Sequence, residues 1–122
     1  MNRILIVDDN DVNRLLASMT LEREGRLIDE ARDGIEALEL LARNDYDCVL
    51  LDISMPRMSG YEVCARIRQA PRTAGLRVIA YTAHALDTEH RKILSSGFDG
   101  VLTKPVDVGV FERMLGEPAS AG

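Results

Sequence analysis

The sequence contains no tryptophan, only 4% aromatic residues and only two cysteines. A core with so few aromatic rings must be built from aliphatic side chains. The two cysteines, Cys48 and Cys64, are too few for a disulfide framework, and each lies in an apolar stretch, which favours buried free thiols. No apolar run is long enough to span a bilayer, and no signal peptide precedes the first strand-like run. We therefore expect a cytoplasmic protein.

Positive charge is also scarce. The chain has 15 Lys and Arg against 20 Asp and Glu, which gives a formal net charge of −5. A basic footprint for nucleic acid and a basic stripe for membranes are both missing, so we predict neither kind of partner. The length of 122 residues suits one domain. We assign the domain to residues 1–116 and predict that the tail, residues 117–122, is disordered.

Short apolar runs alternate with helical patterns along the whole chain. Four runs predict strands covered on both faces, at residues 4–7, 48–51, 78–81 and 100–103. A more polar stretch at residues 26–31 is predicted to be an edge strand. Between the strands, apolar positions of helical period predict five helices, with stripes at Val12, Leu15, Leu16 and Met19; at Ile35, Leu38, Leu41 and Ala42; at Gly60, Val63, Cys64 and Ile67; at His90, Ile93, Leu94 and Gly97; and at Val108, Phe111 and Leu115. This alternation indicates a parallel sheet with helices on both sides.

The residues that follow the predicted strands are polar and carry the functional information. They are Asp8, Asp9, Asp52, Thr82 and Lys104. Ligands of open α/β sheets bind at the carboxyl ends of the strands, so we expect these side chains to converge. Each has an ordinary explanation when it is taken alone, such as a helix N-cap for Asp9 or a solvated loop charge for Lys104. Five such explanations at one edge would require a coincidence.

The predicted cluster has a charge imbalance that suggests its chemistry. Three carboxylates repel one another, and Lys104 offsets only one of them. A divalent cation would offset the other two, and an all-oxygen ligand set favours a hard ion such as Mg²⁺. A carboxylate beside Mg²⁺ and an ammonium group can attack phosphorus and form an acyl phosphate. The hydroxyl of Thr82 could then hydrogen-bond the new phosphoryl group, and the change in local charge could act as a switch.

Several segments at βα-unit spacing resemble the response-regulator receiver family. They are residues 4–10 (ILIVDDN), 50–62 (LLDISMPRMSGYE), 81–85 (YTAHA) and 102–106 (LTKPV). The resemblance covers residues 2–116. It implies a doubly wound (βα)5 flavodoxin-like fold with a five-stranded parallel sheet in the order 2-1-3-4-5. It also implies a phosphoacceptor signalling domain of a two-component system or phosphorelay, which is not an enzyme beyond its own phosphotransfer and autodephosphorylation.

The resemblance assigns roles residue by residue. Asp52 matches the phosphorylated aspartate, Lys104 the phosphate-contacting lysine and Thr82 the switch hydroxyl. The metal ion, Mg²⁺ or Mn²⁺ in its place, would be held by Asp8, Asp9, Asp52 and the backbone carbonyl of Ser54. The structural positions are Pro105, which family members often join through a cis peptide bond, and the turn from Pro56 to Gly60.

Two features distinguish this chain within the family that it resembles. Val101 stands where many family members carry the aromatic ring that moves on activation, so output must run through the loop after Thr82 and the fourth helix. Ser54 and His84 occupy the two positions that tune autodephosphorylation in the family. We predict that His84 affects hydrolysis, and a solvated loop histidine is an equally good interpretation.

The resemblance also implies the partners, and it competes with two other functions. The donor would be a histidine kinase or a histidine phosphotransfer protein docked on the first helix, and a downstream protein would bind the fourth helix, fifth strand and fifth helix. We expect a monomer or weak dimer, acting as a single-domain regulator if the 122 residues are the whole chain. Two alternatives stay open: a small phosphatase of the haloacid-dehalogenase type, and an interaction module that is independent of phosphorylation.

Overall fold

The computed structural model describes residues 3–83 and 86–116, in which five strands alternate with five helices. In chain order these elements are β1 (Arg3–Val7), α1 (Asp11–Glu22), β2 (Leu27–Ala31), α2 (Gly34–Arg43), β3 (Cys48–Asp52), α3 (Gly60–Gln69), β4 (Arg77–Thr82), α4 (Asp87–Ser95), β5 (Gly100–Thr103) and α5 (Val108–Gly116). All five predicted strands and all five predicted helices are present. Residues 117–122, predicted to be a disordered tail, lie outside the described part of the chain, as does His84.

The strands form one parallel sheet in the order β2-β1-β3-β4-β5. The register places Val7 opposite Leu51, Leu51 opposite Ala80, and Thr82 opposite Thr103. The fold class and strand order that the resemblance implied are thus confirmed. Because all strands run the same way, their carboxyl ends share one edge of the sheet.

The sheet separates two apolar layers, because successive strand residues point to opposite faces. Leu5, Val49 and Val78 belong to the layer covered by α2, α3 and α4. Ile4, Leu50 and Ile79 belong to the layer covered by α1 and α5. Strands β1 and β3 are almost completely buried, which explains their unbroken apolar sequences.

Helix starts are fixed by short polar side chains that accept backbone N–H groups. The carboxylate of Asp33 accepts from Glu36 N at 2.8 Å, and the hydroxyl of Ser59 accepts from Glu62 N at 3.3 Å. Helix α1 is capped by Asn10, whose side chain accepts from Asn13 N at 2.9 Å. Satisfying these free N–H groups stabilises each helix end by about 1 kcal/mol.

The apolar stripe predicted for α1 faces away from the core. Leu15 is 53% exposed and Leu16 is 54% exposed. Val12 and Met19 are 65% and 50% exposed. The buried face consists instead of Arg14, Ala17, Ser18 and Leu21. The stripe that predicted α1 is therefore the exposed face of the helix on which the resemblance places donor docking, and not a face that packs on the sheet.

Other helical predictions were partly confirmed. The α3 stripe of Val63, Cys64 and Ile67 is buried, whereas Ile35 of α2 is 57% exposed and Leu94 of α4 is 43% exposed. Both cysteines are buried and free, as expected, and burial raises the pKa of the Cys48 thiol to about 12. Among the helices of the described residues, none has the length and apolar character needed to cross a membrane.

Candidate functional site

The carboxyl edge of the sheet brings together the predicted site residues from four strands. Asp8 follows β1 directly, Asp52 and Thr82 are the last residues of β3 and β4, and Lys104 follows β5. They line one cleft of about 510 Å³ together with Asp9 and Ser54. Because the backbone N–H of Lys104 donates to the carbonyl of Thr82 at 2.7 Å, the pairing of β4 and β5 continues up to the lysine. The predicted convergence is thus seen in the structure.

The ammonium group of Lys104 joins two of the carboxylates. Its Nζ lies 2.9 Å from Asp8 Oδ2 and 3.4 Å from Asp52 Oδ2. The side chain of Asp8 is completely buried, that of Asp52 is 6% exposed and that of Lys104 is 16% exposed. An ion pair with so little solvent contact is screened weakly, so it fixes the position of both partners more firmly than a surface pair would.

Asp8, Asp9 and Asp52 together offer a set of oxygen ligands. One carboxylate oxygen from each lies within 4.8 Å of the others, with Asp8 and Asp52 buried and Asp9 exposed. The ammonium group balances one negative charge, and one oxygen of each carboxylate remains close enough to the others to share an ion. Three converging hard oxygen donors fit a divalent ion such as Mg²⁺, which keeps several of its waters when it binds.

Burial and the neighbouring charges alter the acidity of the site. Burial raises the pKa of Asp52 to about 6, and the nearby Asp8 carboxylate adds to this rise. The Ser54 N–H, which donates to Asp52 Oδ1 at 3.0 Å, and the Lys104 ammonium both act to lower it. Burial would lower the pKa of Lys104, but the carboxylates of Asp8 and Asp52 outweigh that effect and raise it.

The loop after β3 is packed against the backbone of the site through a glycine. Gly60 N donates to the carbonyl of Ile53 at 3.2 Å. A Cβ atom on Gly60 would lie 2.6 Å from Ile53 Cα and would also overlap the Asp52 carbonyl oxygen. Pro56 lies within the same loop, and Arg57 after it adopts a positive φ of 67°. Only glycine allows α3 to start so close to Asp52.

The remaining predicted positions have mixed outcomes. Thr82 is 7% exposed and lines the cleft, and the Lys104–Pro105 peptide bond is cis, as the resemblance implied. Ser54 is exposed at the mouth of the cleft. Val101 is half-buried and packs beside α4, away from the carboxylates. His84, the predicted tuning residue, lies outside the described residues.

Arg14 is a site residue that the sequence analysis missed. Its guanidinium donates to the Asp8 carbonyl oxygen at 2.8 Å, to Glu30 at 3.0 Å and to Asp11 at 2.6 Å. This buried side chain therefore ties the acidic loop to α1 and to β2. The signal is present in the sequence, since Arg14, Ala17, Ser18 and Leu21 repeat with helical period beside the apolar stripe.

Tyr81 is a second residue with an unforeseen contact. Its side chain points into the layer under α1 and α5, as expected from its place beside Thr82 on the strand. There the ring lies under the Lys104 ammonium, with Nζ 5.3 Å from the ring centroid. Burial raises the pKa of the Tyr81 hydroxyl.

The sequence matches known proteins along almost its entire length. The family model described as the response regulator receiver domain matches residues 4–115. The sensor histidine kinase RcsC of Escherichia coli (strain K12) is 44% identical over 112 residues, which is 92% of this chain. The chain spans only 12% of the length of RcsC, so the likeness concerns one part of that kinase.

Solved structures show the same fold. The chemotaxis protein CheY4 of Vibrio cholerae has a TM-score of 0.87 and 27% identity, covering 95% of this chain and 97% of that one. The receiver domain of the sensor histidine kinase PA1611 of Pseudomonas aeruginosa has a TM-score of 0.84 and 30% identity, covering 95% and 98% of the two chains. That structure holds a magnesium ion in its active site cleft.

Proposed function

Because the chain belongs to the response regulator receiver domain family, we propose that it accepts a phosphoryl group on Asp52 from a phosphohistidine of a partner protein. The observation that carries this proposal is the buried Asp52 carboxylate with the Lys104 ammonium at 3.4 Å and the Asp8 and Asp9 oxygens beside it. A single carboxylate held next to a fixed cation and a divalent-ion site is suited to nucleophilic attack on phosphorus.

The proposed transfer uses the chain's own residues for attack and for charge. An Asp52 carboxylate oxygen forms a bond to phosphorus as the bond from phosphorus to the histidine nitrogen breaks, and the electron pair of that bond stays on the imidazole. Oδ1 is held by the Ser54 N–H, which leaves Oδ2, on the Lys104 side, as the oxygen that attacks. Lys104 then faces the oxygens of the transferred group and offsets part of their charge.

Asp8, Asp9, Asp52 and the backbone carbonyl of Ser54 are the proposed ligands of Mg²⁺, or of Mn²⁺ in its place. When bound, the ion would neutralise part of the negative charge on the phosphoryl oxygens. The magnesium ion in the cleft of the PA1611 receiver domain supports this assignment. Arg14 contributes indirectly, since its bond to the Asp8 carbonyl keeps the acidic loop in place.

The chain is proposed to act as a switch and to turn over only its own phosphoryl group. Thr82 lies at the end of β4 in the same cleft, where its hydroxyl can reach a phosphoryl group on Asp52. Many family members carry at the position of Val101 an aromatic ring that moves on activation. Val101 has no ring, so the proposed response runs from Thr82 through the following loop to α4. Ser54 and His84 are the proposed tuning positions for loss of the phosphoryl group.

The outer face of α1 is the proposed docking surface for the phosphohistidine partner. We call this surface the α1 patch, and it consists of Val12, Leu15, Leu16 and Met19, each at least half exposed. Asn13 on the same helix lines the cleft, so a partner that covers the patch lies beside Asp52. A set of exposed apolar side chains at the rim of a reactive site is typical of a protein interface. In the proposed setting the chain works in the cytoplasm.

Acetyl phosphate with Mg²⁺ tests the phosphoacceptor proposal directly. We expect the intact mass of the protein to rise by one phosphoryl group, and the gain to disappear in Asp52→Asn and when the divalent ion is chelated. Asp45→Asn is the matched control, because Asp45 is a surface carboxylate with a side chain 93% exposed. A protein that gains no mass would support the phosphorylation-independent module. Rapid turnover of p-nitrophenyl phosphate would support the phosphatase.

A substitution in the α1 patch separates docking from chemistry. Leu16→Ser removes an apolar side chain that is 54% exposed, so the free energy of unfolding should change by less than about 0.5 kcal/mol. Transfer from a phosphorylated histidine phosphotransfer protein should slow about tenfold, while labelling by acetyl phosphate stays the same. Leu27→Ser is the control, since Leu27 is 55% exposed at the start of β2, on the opposite edge of the sheet. Equal slowing in both variants would refute the assignment.

A further inference from the structure

We infer that Tyr81 is a positioning residue for Lys104, acting through the face of its ring on the ammonium group. The inference rests on the proposed function, because it assigns Tyr81 a part in placing the cation that faces the phosphoryl group. Tyr81 does not line the cleft of the carboxylates, although its backbone lies opposite Asp52 in the sheet. It lies beneath the lysine, on the side of the sheet covered by α1 and α5.

The ring itself is held firmly in place. Tyr81 is 2% exposed and belongs to the apolar layer that includes Ile79, Leu102 and Phe111. Its strand neighbour Thr82 pairs with Thr103, the residue before Lys104. The strand and the surrounding core thus fix the ring, and they place it beneath the Lys104 ammonium.

The tyrosine borders the segment after β5. The Lys104 ammonium lies 5.3 Å from the ring centroid, and Lys104, Pro105 and Val106 line one cavity together with Tyr81. Val106 also packs against the apolar layer that contains the ring. The ring is therefore placed to limit how far the lysine can move.

The position of the ammonium group matters because it has competing partners. Nζ is closer to Asp8 Oδ2, at 2.9 Å, than to Asp52 Oδ2, at 3.4 Å. The lysine side chain has four flexible methylene groups. With the ion pair to Asp8 alone, the ammonium could therefore move away from Asp52. An aromatic face attracts a cation, most strongly when water is largely excluded, and supplies a third fixed contact that keeps the ammonium between both carboxylates.

Two replacements at position 81 separate the ring electrostatics from packing. Tyr81→Phe keeps the ring and its negative face but removes the hydroxyl. Replacement by pentafluorophenylalanine, introduced by codon expansion, keeps nearly the same shape and reverses the quadrupole of the face. We expect the initial rate of labelling by acetyl phosphate at saturating Mg²⁺ to stay within about twofold of wild type in Tyr81→Phe. The fluorinated ring should slow it about threefold to tenfold, as the usual strength of a cation–π contact implies.

A spectroscopic measurement checks the contact without any phosphorylation. The ε-methylene protons of Lys104 should show an upfield ring-current shift in the wild type and in Tyr81→Phe. Tyr81→Met, which removes the ring, should abolish that shift and slow labelling at least as much as the fluorinated ring does. Tyr61→Leu is the control, because the Lys92 ammonium lies 4.8 Å from the Tyr61 ring centroid, away from the cleft, and its loss should leave the labelling rate unchanged.

The outcomes distinguish this inference from the proposed function. Wild-type protein that takes no phosphoryl group would remove the proposed function, and the ring-current shift would still test the contact. If wild type is labelled but the phenylalanine and pentafluorophenylalanine proteins react equally fast, the ring face does not position the lysine and the inference is wrong. A Tyr81→Phe protein as slow as Tyr81→Met would also overturn it, since the hydroxyl would then be the important group.

Discussion

The two edges of the sheet hold their charges in opposite ways. At the amino edge acidic side chains pair one to one with arginines, in the pairs Arg3–Asp29, Arg26–Glu112, Arg68–Asp99 and Arg72–Asp45. At the carboxyl edge three carboxylates gather in one cleft, and the described cation among them is the single ammonium of Lys104. The amino edge therefore stabilises the fold. The carboxyl edge is less stable, because its carboxylate oxygens stay available to bind a ligand.

Arg68 illustrates how the amino edge is held together. Its guanidinium donates to the carbonyls of Gly97 at 3.0 Å and Ala74 at 2.9 Å, to that of Leu76, and to Asp99 at 2.8 Å. The same Asp99 oxygen accepts from Val78 N at 2.8 Å. One side chain thus joins α3 to the loops before β4 and β5, and its planar fork satisfies several carbonyls at once.

Asp52 illustrates the opposite edge. Its carboxylate is buried beside another carboxylate, and its pKa of about 6 shows that the environment disfavours the ionised form. The folded protein therefore binds a proton at Asp52 more readily than the unfolded chain does, and ionisation of this group at neutral pH costs stability. A divalent ion at the cleft would offset that cost.

The largest effect is predicted at the amino edge. Arg68→Met should lower the free energy of unfolding by about 4 kcal/mol, because four hydrogen bonds from one charged group are lost together. Arg66→Met is the matched control on the same helix, since the Arg66 side chain is 54% exposed and pairs only with Glu62 at 3.4 Å. Urea denaturation measures both, and the control should change by less than about 0.5 kcal/mol. Similar losses in the two variants would contradict the importance given to Arg68.

Gly60→Ala should have the next largest effect, and it should reach the carboxyl edge. The added methyl group would overlap the backbone of Asp52 and Ile53, which cannot move as a flexible side chain could. We expect a loss of about 3 kcal/mol in the free energy of unfolding and slower labelling of Asp52 by acetyl phosphate. Gly75→Ala is the control, because no atom lies within 4 Å of its added Cβ. A Gly60→Ala protein with normal stability and labelling would show that the close approach of α3 is dispensable.

Asp52→Asn should have the smallest effect and the opposite sign. With a folded pKa of about 6 against a usual 3.8, the stabilising contribution of Asp52 is fully present below about pH 4 and is lost as the pH rises through 6. Asparagine does not ionise, so the substitution removes the loss of stability that ionisation of Asp52 causes at higher pH. At pH 7 without a divalent ion, Asp52→Asn should therefore be more stable than wild type by about 2 kcal/mol.

Two further measurements sharpen this prediction. The advantage of Asp52→Asn should shrink as the pH falls from 7 to 4, because wild-type Asp52 then becomes protonated. Added Mg²⁺ should stabilise wild type by about 1.4 kcal/mol at a concentration ten times its dissociation constant, and should stabilise Asp52→Asn much less. Asp45→Asn at the amino edge should show neither effect. An Asp52→Asn protein less stable than wild type at pH 7 would contradict the electrostatic cost assigned to this edge.

The elements and the site were largely predictable from local sequence, whereas the faces of some helices were not. Continuous apolar runs marked the strands because buried parallel strands have no polar face. The order of chain segments then placed Asp8, Asp52 and Lys104 at one edge. The buried face of α1 was not predicted, since hydrophobicity alone favours burial of Leu15 and Leu16 and cannot show that Arg14 bonds the Asp8 carbonyl after β1 and Glu30 on β2.

The sequence by itself determined the alternation of strands and helices, the acidic residues at the strand ends and the single lysine that follows the last strand. These properties depend on residue type and spacing, and the chain geometry carries them directly into the fold. Tertiary structure alone decided that Arg14 bonds the Asp8 carbonyl, that Tyr81 lies under Lys104, and that the α1 patch faces outward. Each of these depends on distances between segments far apart in the chain, which only the packed sheet and its helices fix.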